Sequence, residues 1–358
     1  MSKVTLLKQY RLCNSCLRRH IGTGKSREPC YICRGLMHNV DTIAKSIMAA
    51  IKDYEFETFL IGAILSTQLY EREDAMRARL KIRGRESIKN HLTRELGIQI
   101  ARLVRKKVNY TTPDIRITLF IDKDNSVNIE AMSKPLMLAG VYVKKSRGLP
   151  QKEVKSHSCT GNGCDGCNYS GLSRCESVEG IITKQLLRIT GGMAPKFTWI
   201  GSEDESSLVL GRGRPFYVRV FNPKKRNMKP TAIKDNGIMA RLYPISNQPE
   251  TQPRFTVKTR IHIKCENALI KKDLKRLNSI PKSIVRFENK SKMAVKRIYS
   301  TRIRQIASNQ FTLTIIADGG LMIKQFVGGE EYMKPNVSEI LGDKCVCITF
   351  DILDVQLQ

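Results

Sequence analysis

Two cysteine pairs near the start of the chain, Cys13-x-x-Cys16 and Cys30-x-x-Cys33, carry the strongest chemical signal in the 358-residue sequence. Each C-x-x-C turn presents two sulfurs to one side, and two such hooks flanking a short basic loop suit a tetrahedral, structural zinc site. A second cluster, Cys159, Cys164, Cys167 and Cys175, lies among Gly161, Gly163 and Gly166, which permit the tight turns that gather sulfurs. Two readings stay open here: a second zinc knuckle, with Cys175 or His157 as its fourth ligand, or a Gly/Cys-rich linker. Cys265, Cys345 and Cys347 fall in apolar, strand-like runs and read as core residues, with Cys345 and Cys347 on one face of a strand. Clustered cysteines, and a start (MSKVTLLKQYRLCNSC) without a signal peptide's apolar core, lead us to expect a soluble protein in a reducing, cytoplasmic setting.

The other candidates are charges. Glu203, Asp204 and Glu205 form an acidic turn in WIGSEDESSLVLGRGRPFYVRVFNPKKR, within a chain of 62 Lys+Arg against 33 Asp+Glu and a net charge of +29. From composition such a turn is either a surface loop or helix cap, or a catalytic carboxylate. The positive excess calls for a polyanion, nucleic acid before membrane, and no apolar run approaches the roughly 20 residues of a spanning helix. Arg212 and Arg214 lie in the strand-like run and Lys224, Lys225 and Arg226 follow it; KKDLKRL and VKRIYSTRIRQI add further cations. They read as a groove for RNA phosphates or as solvated surface. No GxxxxGK[ST], HExxH or GxSxG motif is present, and GRGRPF lacks the third glycine of a dinucleotide loop.

Elements must hold these groups in place. A helix is expected from Asp41 to Ala63, and another where Ile88, Leu92 and Leu96 recur every four residues among Arg and Lys. The cationic face of the latter is either solvated or a phosphate contact. DIRITLFIDKDNSVNIEAM alternates as a hairpin, ESVEGIITKQLLRITGG reads as a helix stopped by Gly191-Gly192, and RPFYVRVFNP, FTLTIIADGG, GGLMIKQFV and CVCITFDIL read as strands. Helix and strand mix without a regular βαβ beat, so the class is α+β. The expected domains are 1–155, which carries the zinc hook, and 156–358, with a mixed, largely antiparallel sheet flanked by helices, entered through the segment 156–175.

The stretch around Glu203-Asp204 resembles the GREDxDVRxLGxGRPFxxExxNP signature of the THUMP-containing, zinc-binding tRNA pseudouridine synthases of archaea and eukaryotes. Other parts match in the same order: the cysteine hooks, the block from IGAILSTQLYEREDAM to VYVKKSRGLPQ as a THUMP region, CTGNGCDGCNYSG with SVEGII, and GGLMIKQFVGGEEYMKPNVSEILG as the family's GGLYIKEF motif. The resemblance covers nearly the whole chain. It implies an isomerase with Asp204 as catalytic carboxylate, Lys324 as its ion-pair partner, and Leu321 and Ile323 as apolar walls for the flipped base. It also implies tRNA as partner, with uridines 54 and 55 of the TΨC arm as targets, structural zinc as the only cofactor, no membrane, and no obligatory protein partner. From the residues alone, Lys324 could equally be solvated, and Leu321 and Ile323 could be ordinary core residues. The chain departs from the family at Ser202, Ser206 and Leu208, and the family's active-site tyrosine aligns with Arg260; Tyr299 or Tyr217 are alternatives for that place in the pocket. These departures keep a second reading open, a tRNA-binding protein derived from the family but without turnover.

Overall fold

The computed structural model describes residues 10–20, 22, 25–249, 251–280, 283–289, 292–329 and 332–358. The chain divides into two compact units, Met1–Lys134 with Asn222–Arg226, and Pro135–Phe221 with Asn227–Gln358.

The first unit contains α1 (Asn14–His20), α2 (Val40–Ile51), β1 (Thr58–Leu65), α3 (Thr67–Leu80), α4 (Ile88–Val104), β2 (Lys107–Val108), β3 (Ile115–Ile121) and β4 (Val127–Ser133). Its sheet has the order β2-β1-β3-β4, with β1 parallel to both neighbours and β3 and β4 forming the expected antiparallel hairpin. Ile88, Leu92, Leu96 and Ile100 are all buried on one stripe of α4, and Ser87 Oγ accepts the Asn90 N–H to start that helix. The helix expected over 41–63 ends at Ile51. Beyond it TFLIGAIL forms β1, with Phe59, Ile61, Ala63 and Leu65 buried and the residues between them half-buried or exposed, because its apolar, β-branched run pairs along β3 from Phe59 to Leu65.

The second unit contains β5 (Leu136–Lys144), α5 (Val178–Thr190), β6 (Met193–Trp199), β7 (Val209–Phe221), β8 (Thr231–Asp235), β9 (Ile238–Pro244), β10 (Phe255–Cys265), α6 (Lys271–Arg276), β11 (Ile284–Asn289), β12 (Lys292–Ala307), β13 (Gln310–Asp318), α7 (Ile323–Gly328), α8 (Val337–Leu341) and β14 (Cys345–Leu357). They form one sheet in the order β11-β12-β13-β10-β14-β7-β5-β9-β8, with β6 also on β7. Every pairing is antiparallel except that of β14 with β7. This unit begins at Pro135 rather than near 156, because β5 is hydrogen-bonded between β7 and β9. Ser177 Oγ caps α5 through the Gly180 N–H, and Gly191 closes it in the left-handed conformation at φ 59°, as its sequence predicts.

Two cores flank the middle of the sheet. One packs α7 and α8 against β10, β12 and β13, and the other packs α5 against β5, β7 and β9. Cys265 and Cys345 are core residues, as expected, and, opposite each other on β10 and β14, they are joined as a disulfide. Among the described residues no helix is long and apolar enough to cross a membrane.

Candidate active site

Asp204 sits in the loop between β6 and β7, and Lys324 is the second residue of α7. The strand expected for GGLMIKQFV is thus a short helix, whose buried face is Ile323, Phe326 and Val327. The loop and the helix N-terminus bring the two charges together. Lys324 Nζ donates to Asp204 Oδ2 at 2.6 Å, while Ser206 donates to Oδ1 through its hydroxyl at 2.7 Å and its N–H at 3.1 Å. The Lys324 ammonium, and then Ser206, hold the Asp204 carboxyl well below its usual range, at about 2. The same contact raises the Lys324 ammonium. The pair is therefore ionised throughout the neutral range.

Beneath the loop lies a buried charge cluster that sequence reasoning missed. Glu203, fully buried, accepts from the Tyr142 hydroxyl at 2.8 Å and from Arg214 Nε at 3.3 Å. Arg214 also donates to the carbonyls of Ile200 at 2.8 Å and Ser202 at 3.1 Å. Lys144 Nζ lies 3.2 Å from Glu203 Oε1, but its hydrogen bonds go to the carbonyls of Leu149, Asp204 and Glu205. Two buried cations thus grip the loop backbone on both sides of Asp204, and one buried carboxylate compensates them. Desolvation, then the Glu203 charge, push the Tyr142 phenol well above its ordinary value, so it stays a neutral donor. Arg147 fastens the outer side through Asp351 at 2.7 Å and the Ser206 carbonyl.

Asp204 and Lys324 border a cavity of about 360 Å³ whose walls include Leu321, Ile323, Val257 and Thr259. Leu321 and Ile323 are both buried at this wall. Thr259 is 1% exposed, and its Oγ1 has no hydrogen-bond partner among the described residues. A wider cleft of about 890 Å³ shares Gly201, Ser202, Phe255 and Gly320 with the cavity, and brings in Tyr299, Lys296 and Arg297. Tyr299 donates from its hydroxyl to Asp318 at 2.8 Å, so it belongs to the adjoining cleft and not to the Asp204 cavity. Tyr217 lines neither space.

The remaining expected site residues go elsewhere. On β10 Val257 and Thr259 face the cavity, so their neighbour Arg260 faces the opposite side of the sheet, where it lines a separate depression with Lys258, Arg302 and Arg304. Arg260 therefore does not take the place in the Asp204 pocket that the alignment gives it. Arg212 is exposed and paired with Asp354 at 2.5 Å, and Arg214 is the buried clamp just described. Lys224–Arg226 fold with the first unit and not with β7. There the Glu55 N–H donates to the Lys224 carbonyl at 2.7 Å, and the Arg226 N–H donates to Glu55 Oε2 at 2.7 Å.

In the first unit Cys13, Cys16, Cys30 and Cys33 are all buried, with their sulfurs within 4.8 Å of one another. Cys13 and Cys33 sulfurs are 3.6 Å apart, close to the roughly 3.8 Å edge of a zinc–thiolate tetrahedron. Proton sharing among the sulfurs drives the Cys30 thiol down, chiefly through Cys13, and Cys16 up, also chiefly through Cys13. A donor set of this kind fits a thiophilic divalent ion. Cys159, Cys164 and Cys167 also converge, whereas Cys175 is exposed and outside that group.

The family model for the archaeal Pus10 THUMP domain matches residues 43–119, and that for the Pus10 C-terminal region matches residues 137–242 and 247–356. The chain is 33% identical to the tRNA pseudouridine synthase Pus10 of Nitrosopumilus maritimus, over 99% of this chain and 97% of that protein. To the protein of the same name from Cenarchaeum symbiosum it is 29% identical over 98% of this chain and 90% of the relative. For Methanosphaera stadtmanae the figures are 27% identity, 98% and 97%.

Proposed function

The chain belongs to the Pus10 family, and from that premise we propose that Asp204 is the carboxylate with which it isomerises uridine to pseudouridine in tRNA. The chain is a tRNA pseudouridine synthase, an isomerase. The observation that carries the residue assignment is the ionised Asp204–Lys324 pair at the mouth of an apolar-walled cavity. A uridine flipped out of its stack would enter between Leu321 and Ile323. Asp204 attacks C1′ as the N1–C1′ bond breaks and its electron pair stays on the uracil; the uracil turns, and C5 displaces the aspartyl oxygen from C1′, which returns Asp204 as a free carboxylate. The proton lost from C5 is balanced by one gained at N1, so no cosubstrate is consumed.

Ser206, where the family has a second aspartate, fixes the carboxylate with two hydrogen bonds instead of adding a second negative charge. Thr259 offers a buried hydroxyl to a uracil edge, a polar contact where the alignment leaves Arg260. Lys296 and Arg297 in the wider cleft are placed for the phosphates that flank the flipped nucleotide. The four-cysteine cluster holds zinc in a structural role, with four thiolates filling the tetrahedron and no position left for a substrate. The targets are uridines 54 and 55 of the TΨC arm, and the place of work is the cytoplasm. Incubating the purified protein with an unmodified tRNA transcript and mapping pseudouridine by position tests this: product at 54 or 55 supports the target assignment, and product only elsewhere overturns it.

A further inference from the structure

The segment 155–173 has almost no core of its own: Leu172 is its one buried apolar side chain, beside the buried hydroxyls of Ser156 and Ser170. It nevertheless has a defined path. Its base is closed by the Lys155–Leu172 bridge and by N–H donation from Ser156 to the Gly171 carbonyl and from Ser173 to the Val154 carbonyl, each at 2.9 Å. A loop that cannot bury a core needs another staple.

The sulfurs supply the means. Cys159 and Cys167 Sγ are 3.7 Å apart and Cys164 and Cys167 Sγ 3.8 Å, the edge expected for thiolates around one zinc ion and far from a disulfide bond. Cys164 and Cys167 span the single 3₁₀ turn Asp165–Cys167, the geometry of a C-x-x-C hook. Three main-chain N–H groups point at sulfur: Gly163 to Cys159 at 3.3 Å, and Cys164 and Gly171 to Cys167 at 3.2 and 3.3 Å. A neutral thiol is a weak acceptor, so this donor array is built for thiolates. Gly163 and Gly171 have φ of 82° and 72°, and a Cβ would stand 2.9 Å from the Tyr169 carbonyl oxygen at the first and 2.7 Å from that of Gly161 at the second. The turns that aim these N–H groups thus require glycine.

We infer that Cys159, Cys164 and Cys167 form a second zinc site, with three protein thiolates and a fourth position open to water, and without Cys175. The ion braces the loop against the start of β6: the Ala194 N–H donates to the Tyr169 carbonyl at 2.7 Å, and β6 runs on to the loop that carries Asp204. The site is separate from the N-terminal hook and its existence does not rest on the catalytic assignment.

The test is a zinc count on the full chain, reconstituted with zinc alone and weighed by native mass spectrometry. Wild type is expected to hold two equivalents, Cys164→Ser and Cys167→Ser one, and Cys175→Ser and His157→Ala two. The equivalent kept by Cys164→Ser reports that the N-terminal hook is folded, circular dichroism reports the fold of the whole variant, and the wild-type count stands even where that variant fails to fold. A wild-type count that Cys164→Ser and Cys167→Ser leave unchanged overturns the inference, and loss of one equivalent in Cys175→Ser or His157→Ala overturns the ligand set.

Discussion

Replacing Glu203 by Gln removes one charge and almost no volume from the floor of the active-site loop. Lys144 and Arg214, with side chains 0% and 2% exposed, would then face each other without a compensating anion. Breaking a buried ion cluster by deleting one partner costs about 3–5 kcal/mol, a large part of the roughly 5–15 kcal/mol that holds a domain together. For a unit of this size, at about 2–4 °C per kcal/mol, the melting temperature should fall by about 6–20 °C. Lys144 and Arg214 donate to carbonyls from Ile200 to Glu205, so the loop carrying Asp204 should loosen and turnover should fall with stability. Calorimetry beside an isomerisation assay reads both. A shift of less than about 2 °C would refute the reasoning that these charges are coupled and desolvated.

Lys324→Met should behave oppositely. Its side chain is 58% exposed, so the pair is worth only about 0.2–1 kcal/mol of stability and melting should barely move, while kcat falls about a hundredfold as the carboxylate loses its orientation. The variant also has a pH signature. The folded Asp204 carboxyl titrates near 2, below its ordinary value, so the ionised form survives in acid and is lost only as pH falls through that value; without Lys324 the loss moves up toward pH 4, readable by carbon-detected NMR titration. Thr259→Val should weaken turnover roughly tenfold, whereas Arg260→Ala, on the other face of the sheet, should leave kcat unchanged and at most raise KM, in steady-state kinetics with tRNA. Chelating the ion from the Cys13–Cys33 cluster should unfold the cysteine hook and lower the melting temperature, with reversal on adding zinc.

The fold was legible where periodicity is unambiguous. The four-residue stripe of α4, the β3–β4 hairpin and the Ser177-to-Gly191 limits of α5 all follow from spacing and caps. TFLIGAIL continued an apolar helix pattern and only its pairing with β3 makes it a strand. The period of two in FTVKTRIHIKC already set Val257 and Thr259 inward and Arg260 outward, a signal that an alignment by letters overrides. Lys324 reads as strand-borne because the six residues IKQFVG are too few to show a helical period. The Lys144–Glu203–Arg214 cluster had no local trace, since its charges come from β5, the loop and β7 and meet only after folding. Lys224–Arg226 follow β7 in sequence but belong, with Glu55, to the first unit, which no composition shift marks.

The central claim is that the Asp204 carboxylate makes and breaks the bond. A single-turnover reaction of Asp204→Asn with unmodified tRNA transcript, with pseudouridine mapped by position and RNA retention measured on a gel, tests it most directly. Wild type is expected to form pseudouridine, and the variant to bind tRNA as tightly and form none. Pseudouridine produced by Asp204→Asn would contradict the account.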